Sequence, residues 1–412
     1  MIKKINKKYI QIIVLYSSTL LGVPLSIAVS ILNTRNLTTI QFGDVKYVTN
    51  IMMFISGLLM FGFFVSGCRL IAISKSKENI RKLKGVMVLI LLFSILLMSI
   101  IFLFVSYIHY KWIDPNLYKL FLVGLPVSSA PLLLSYINTT AQGDNKILSI
   151  SLSRLLPSLT YLIIGFIIFR YFKATTSLVL CLQNGLAVVV LAIIIYYSSP
   201  SFKNLGVSIK KIIVENKKYG FQVYIGSIAG VSLGYLAGIT LGWFNNDNTL
   251  VGFYTLALTI AMPLSMLPSI VGTTYYRQFA TENFINKKIN LGTIGISLIS
   301  LILFVLLIQP IVHILYPKDY AQVGYYSALL AIGMSFHGMG DMYNRFLAAH
   351  GQGKALRNGA FVCGIILVVG NIVLVYYYGI YGAIATKILS SLGYFASMYY
   401  FYIRFRNSCT QK

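Results

Sequence analysis

The chain has 412 residues, 57% of them hydrophobic and only 10% charged, with a mean hydropathy of +0.79. A soluble globular chain carries roughly 25% charged residues, so this composition excludes a soluble multidomain enzyme and points to a polytopic membrane protein. Four cysteines, Cys68, Cys181, Cys363 and Cys409, have neither disulfide-scaffold nor metal-ligand spacing; no metal site and no cofactor is expected. The formal charge of +25 sits in short stretches between apolar blocks, where it reads as a topology signal, and nucleic acid is not an expected partner.

A helix needs about 20 apolar residues to cross roughly 30 Å of hydrocarbon. Twelve such blocks follow in order: 10–32, 48–68, 85–108, 120–140, 150–169, 176–197, 220–243, 250–272, 291–315, 325–347, 359–378 and 382–403. The first follows Lys3, Lys4, Lys7 and Lys8 and passes through Ala28-Val29-Ser30, the outline of a cleavable signal. Its apolar run exceeds the roughly 7–15 residues of a signal peptide, and it is read as a retained span. Pro24 in span one and Pro157 in span five are expected kinks.

Span five also carries Arg154, Ser158 and Tyr161 at i, i+4 and i+7, a polar stripe on one helix face. Arg154 lies about a turn from the helix end. It either snorkels to water or faces a cavity, where a guanidinium suits a phosphate. Span seven carries Gly226, Gly230, Gly234, Gly238 and Gly242 at strict four-residue spacing. Such a stripe permits close helix packing and also sliding or bending. Pro263 and Pro268 add two kinks to span eight. Span ten holds the intramembrane acid Asp341, with His337 and Arg345 at i−4 and i+4 and Asn344 at the edge of the same face. Each charge costs roughly 2.5–3.5 kcal/mol near the bilayer centre, so the face should look inward, with Asp341 and Arg345 paired. One reading is a structural ion pair. In the other, Arg345 contacts an anionic headgroup while Asp341 and His337 bind a coupling ion. Lys387, in span twelve, is expected to snorkel.

Counting Lys and Arg on alternate sides gives 24 on the side of both termini against 7 on the other. Both termini are therefore expected in the cytoplasm. The loops also repeat. Arg69-Leu70-Ile71-Ala72 matches Arg277-Gln278-Phe279-Ala280, and Ala141-Gln142-Gly143-Asp144-Asn145-Lys146 matches Ala349-His350-Gly351-Gln352-Gly353-Lys354, both at a displacement of 208 residues. Gly43 and Gly252 are offset by 209. Six spans per half make the repeat parallel, with a cavity expected between the halves. The fold expected is all-α, twelve transmembrane helices in two parallel-repeat six-helix bundles, with 1–197 and 220–412 joined by a basic cytoplasmic linker, 198–219. Arg69 and Arg277 either hold the positive loops in place or flank a cytoplasmic entrance. The loops contain no Walker A, GxGxxG, HExxH or Ser/His/Asp arrangement, so no enzyme activity is expected.

Three strings carry a resemblance to a known family: Val251-Gly252-Phe253-Tyr254-Thr255-Leu256-Ala257, the Ala349–Lys354 string, and Gly379-Ile380-Tyr381-Gly382-Ala383-Ile384-Ala385-Thr386. With the twelve-span duplicated topology, the chain resembles the Wzx-type O-antigen flippases of the polysaccharide transporter branch of the MOP superfamily, which includes the MATE exporters. The first half departs from the pattern at residues 174–186, which lack the Gly-x-x-Gly-Ala motif. The resemblance implies movement of an undecaprenyl-pyrophosphate-linked sugar repeat unit between leaflets of a bacterial inner membrane, for lipopolysaccharide or related polysaccharide biosynthesis. A cationic central cavity and coupling to an ion gradient are also implied. Expected partners are that lipid-linked oligosaccharide, membrane lipids and other polysaccharide assembly proteins. Two alternatives stand beside it. A MATE-like drug or cation antiporter should carry more intramembrane carboxylates than Asp341 alone. An integral-membrane O-antigen polymerase or ligase should carry a large outer loop, which this sequence lacks.

Overall fold

The computed structural model describes the backbone of residues 7–230 and 232–410; side chains before Ser17, and a few later ones including that of Arg277, lie outside the described set. Every regular element in it is helical. The chain divides into two compact units, Met1–Ile228 and Ala229–Lys412.

The first unit contains α1 (Lys7–Asn36), α2 (Thr39–Leu58), α3 (Phe63–Ile73), α4 (Lys77–Ile108), α5 (Pro115–Gly124), α6 (Ala130–Gly143), α7 (Ile147–Tyr171), α8 (Thr176–Tyr197), α9 (Gly206–Glu215) and most of α10 (Phe221–Gly230). Starts are set by side chains that accept from otherwise unpaired N–H groups. Thr38 and Gln41 form a reciprocal capping box at α2. Ser76 caps α4 and Thr175 caps α8. The second unit contains α11 (Leu236–Phe244), α12 (Thr249–Ala261), α13 (Pro263–Thr274), α14 (Tyr276–Phe279), α15 (Lys287–Leu315), α16 (Ala321–Ala349) and α17 (Gly353–Thr410).

Gly379 divides α17, because its backbone (φ 53°, ψ −128°) is not helical. The conformation lies in the positive-φ region that glycine enters without the penalty of a Cβ. Residues 353–378 and 380–410 then run antiparallel. Gly382 lies against Leu374, Gly370 against Thr386, Gly393 against Ile366 and Gly359 against Met398. These two arms are the expected spans eleven and twelve.

Among the described residues, seven helices are long and apolar enough to cross a membrane, or eight with α2 and α3 taken as one span bent by 59°. That count takes α17 once and is smaller than the expected twelve. The shortfall has physical causes. Span seven is broken into short pieces, span ten (α16) carries the polar face around Asp341, and much of α1 lies in residues whose side chains are not described.

Each unit is organised around one helix. In the first, α6 packs against α2, α3, α4, α7 and α8; in the second, α16 packs against α12, α13, α14, α15 and α17. They are spans four and ten, each ending in one copy of the repeated loop string. Outer helices such as α4 and α15 leave Leu96, Ile100, Ile299 and Leu306 exposed, as acyl chains require of a lipid face. Tyr196, Tyr197 and Tyr376–Tyr378 are exposed at span ends, as interfacial aromatics are.

At the end of α6 the first copy of the string makes a buried ion pair. Lys84 Nζ lies 2.6 Å from Asp144 Oδ2, with the Lys84 side chain 3% exposed. Lys146 approaches the same oxygen at 3.5 Å, and the Lys84 carbonyl accepts from Tyr136 Oη at 3.2 Å. The positions 208 residues on are Gly292 and Gln352, so both partners are missing together from the second half. Breaking a buried pair on one side leaves a charge without compensation. Asp144→Asn is expected to cost about 3 kcal/mol, read as a lowered unfolding temperature of the full-length protein in detergent, and Lys84→Met on that background should recover part of the loss.

Candidate functional site

Arg154 sits on α7 with its side chain exposed, and Ser158, one turn further, is half-buried. Tyr161 is fully buried, and its hydroxyl donates to Asn33 Oδ1 of α1. Asn33 Nδ2 in turn donates to Gln183 Oε1 of α8 at 3.3 Å. The stripe predicted on span five therefore runs from exposed to interior. Its last member ties three helices of the first unit together rather than lining an open surface. Asn33 and Gln183 were not singled out in the sequence, because a neutral amide carries no signal until its partner is known.

Arg69, near the end of α3, pairs with Glu215 at the end of α9, and its guanidinium lies 5.1 Å from the Tyr219 ring centroid. It is a strut between the bundle and the basic linker. The Arg277 side chain lies outside the described residues.

The strut belongs to a larger clasp. Span two breaks between α2 and α3, where Phe61 (φ 45°) and Gly62 (φ 77°) are both left-handed. The break frees carbonyls that a helix would have paired. Three neighbours take them. Tyr224 Oη donates to Leu58 O, Ser94 Oγ to Leu59 O at 3.2 Å and Asn216 Nδ2 to Phe61 O at 3.1 Å, while Gly62 O keeps its helical bond from Ser66 N–H. Asn216 and Gly220 bound a π-helical turn after α9. A Cβ on Gly62 would lie 2.4 Å from Gly220 O, and one on Gly220 would lie 2.5 Å from Gly62 O. Only two glycines let these backbones meet.

The glycine stripe of span seven is not one helical face. After α10 the chain passes into a 3₁₀ segment, Ser232–Tyr235, before α11 begins. A 3₁₀ turn takes about 3.0 residues against 3.6, which rotates Gly238 and Gly242 out of phase with Gly226 and Gly230. Among the described residues, a Cβ at Gly226 or Gly234 would meet nothing within 4 Å, whereas Gly238 is buried. Close packing against described residues therefore does not account for glycine at positions 226 and 234. In span eight, Pro263 opens α13 after a break at Met262, and Pro268 lies inside that helix.

In the second unit His337, Asp341, Asn344 and Arg345 share α16, as their spacing requires. The expected Asp341–Arg345 ion pair does not form. Asp341 Oδ1 instead accepts from Tyr394 Oη, on the second arm of α17, at 3.0 Å. The His337 ring stacks on that of Tyr394, with centroids 4.9 Å apart and planes at 27°. Arg345 turns away, exposed, with its stem over Gly272, where an added Cβ would lie 3.1 Å from Arg345 Cγ. The two side chains diverge: Tyr394 donates to the carboxylate from across the helix pair, while the long arginine lies exposed. Asn344 is half-buried, its Nδ2 3.8 Å from Met398 Sδ. Lys387, expected to snorkel, is half-buried. The interior also holds groups without a partner among the described residues: His337 Nδ1, Ser335 Oγ, Ser391 Oγ and both amide atoms of Asn371. Tyr394 is the residue that sequence reasoning missed; its aromatic neighbours read as an interfacial belt, which masked it. No group of three or more His, Cys, Asp or Glu fit to hold a metal occurs among the described residues.

Two helical units, each built around a central span, with broken helices and a buried polar cluster, define a polytopic helical membrane protein. Solved structures agree on the fold. The chain is similar to the lipid II flippase MurJ in an inward closed conformation, with a TM-score of 0.74 at 13% identity over 94% of this chain and 87% of that one. It is also similar to a multidrug resistance MATE family transporter of the MOP superfamily. The inward-facing form gives a TM-score of 0.68 at 14% identity, covering 97% and 98% of the two chains. The outward-facing form gives 0.62 at 14%, covering 98% and 95%. No curated protein matches the sequence. The family model described as polysaccharide biosynthesis protein matches residues 10–280, and the chain belongs to that family. Its fold is that of the MOP superfamily.

Two predictions follow from this geometry. Tyr394→Phe removes a hydrogen bond to a carboxylate, expected to cost about 1.5–3 kcal/mol. The thermal unfolding of Tyr394→Phe, Asp341→Asn and the double variant should be non-additive; additive losses would show that the two groups act separately. Gly220→Ala should destabilise the protein more than Gly226→Ala, because only the former drives a Cβ into backbone. Equal unfolding temperatures would contradict the clasp.

Proposed function

We propose that the protein is a flippase that carries an undecaprenyl-pyrophosphate-linked O-antigen or related polysaccharide repeat unit from the cytoplasmic to the periplasmic leaflet of a bacterial inner membrane. It works by alternating access of two six-helix halves, with both termini cytoplasmic, and draws on an ion gradient. The observation that carries this reading is the family match over residues 10–280 combined with likeness, across 94% of the chain, to a protein that flips lipid II. The chemistry agrees. A diphosphate and a hydrated oligosaccharide cannot cross hydrocarbon unaided, while the lipid tail need not leave it. Arg154 and Arg345 supply exposed guanidinium groups suited to a diphosphate, with Arg69, Arg277, Ser158 and Asn344 as further polar contacts along the route. Asp341, held by Tyr394 beside His337, is the carboxylate to which a coupling ion would bind. The broken span seven, with Gly226 and Gly234 bare, and Pro263 and Pro268 are the flexible points.

The likeness to MATE transporters supports a second reading, a drug or cation antiporter. Cationic cargo asks for intramembrane carboxylates, whereas the spans set the single acid Asp341 against three basic residues, Arg154, Arg345 and Lys387. The deciding experiment is deletion of the gene, followed by analysis of lipid-linked oligosaccharide in each leaflet. A flippase leaves its cargo stranded on the cytoplasmic side. Normal export, with altered drug sensitivity instead, would favour the antiporter.

Arg154→Ala and Arg345→Ala are expected to lower surface glycan about tenfold or more, the equivalent of one lost charge-assisted hydrogen bond, while the membrane level of the protein holds. Unchanged glycan would return both residues to a snorkelling role. Asp341→Asn should alter the response of export to collapse of the proton or sodium gradient; an unaltered response removes it from coupling.

A further inference from the structure

A cavity of about 540 Å³ lies in the first unit, lined by the end of α3, the start of α4 and the linker with α9. That is within the roughly 300–1,000 Å³ of small-ligand sites. Its polar lining is Lys82, Lys211, Asn79, Asn204 and Ser208, with no carboxylate in the lining, and its apolar lining includes Leu70, Ile73 and Val207. Lys82 Nζ does contact Glu78 at 2.6 Å, but that acid is 72% exposed. Such a solvated i, i+4 pair is worth only a few tenths of a kcal/mol and leaves the ammonium able to hold an anion.

The rim says what kind of anion. Ile73 is 67% and Val207 68% exposed, bare apolar surface beside two ammonium groups. Helix α9 has the same character along its length. Ser208 and Ile212 are buried against the unit, whereas Val207, Ile213 and Val214 are exposed together with Lys210 and Lys211. A short helix with apolar and lysine side chains on its free surface lies in the plane of a membrane interface. A soluble phosphate has no use for that apolar rim; a lipid phosphate needs both parts. We propose that this cavity holds the head group of an anionic phospholipid from the leaflet on the linker's side. Lys82 and Lys211 take its phosphate, Asn79, Asn204 and Ser208 meet its glycerol and head-group oxygens, and its acyl chains leave over Ile73 and Val207. Basic pockets beside the spans of a helical membrane protein are suited to such lipids. Because α9 leads directly into Asn216 and Gly220, the lipid would brace the clasp on span two.

The test uses the full-length protein in detergent, incubated with phosphatidylglycerol or phosphatidylethanolamine, with retained lipid counted by native mass spectrometry. The wild type should retain phosphatidylglycerol in preference. Lys82→Gln with Lys211→Gln should weaken that retention roughly tenfold, as two interfacial lysines imply. Lys210→Gln, on the same helix but outside the cavity lining, should leave it unchanged. Equal retention by the double variant, equal loss in Lys210→Gln, or no preference over phosphatidylethanolamine would overturn the proposal. So would displacement by inorganic phosphate, which would make the site one for a soluble anion. Displacement by undecaprenyl pyrophosphate at matched concentration would overturn it in favour of a carrier-lipid site. None of these readouts depends on transport, so the outcome is separable from the flippase reading.

Discussion

The hydrocarbon core offers no hydrogen-bond partner to a peptide group, and that constraint governs how this molecule can be interrupted. A continuous helix meets it alone. A helix broken as span two is between α2 and α3 does not, and each released carbonyl has to find a donor from elsewhere in the protein. Here the donors come from α4 and, 155 and 166 positions along the chain, from Asn216 and Tyr224. The left-handed Phe61 is tolerated for the same reason: its carbonyl is held by Asn216 and its ring tilts against that of Tyr224 at 6.0 Å. The linker is thus a structural part of the first unit, fixed by Gly62 meeting Gly220, by Arg69 meeting Glu215 and by the Ser66 hydroxyl meeting Asn216.

The second unit handles its polarity differently. Its central helix carries an acid inside the protein and balances it with a neutral donor, Tyr394, rather than a cation. A carboxylate paired with arginine would be neutralised in place. One that accepts from a neutral hydroxyl is left without an arginine partner, which is the property a coupling residue requires in the proposed cycle. Arg345 is correspondingly left exposed. The stacked His337 fixes the tyrosine ring, so that the geometry of the hydrogen bond is set by packing on both sides.

Much of this was legible in the residues. Apolar blocks and punctuating prolines set out the order of helices, because burial in lipid writes itself as long uninterrupted hydrophobicity. The spacing of His337, Asp341 and Arg345 correctly put them on one helix. What periodicity does not encode is the partner across a helix pair. The choice of Tyr394 over Arg345, the burial of Tyr161 on Asn33 and the pairing of Lys84 with Asp144 all depend on tertiary neighbours far along the chain. The glycines of span seven mislead for a related reason: four-residue spacing implies one face only while the helix is continuous, and Ser232–Tyr235 is a 3₁₀ turn. Gly379 shows the converse, where a single residue turned a 58-residue helical stretch into a hairpin already implied by two apolar blocks.

The clasp also bears on how the protein is made. Spans enter the bilayer as synthesis proceeds, so the interruption in span two is in place long before the ribosome has added Asn216, Gly220 and Tyr224. Until then the amino-terminal bundle waits with peptide carbonyls at Leu58 and Phe61 lacking the donors they finally use. Maturation of the first lobe is therefore tied to translation of the segment that begins the second, and a separately expressed amino-terminal lobe has to extend past Tyr224 to be whole.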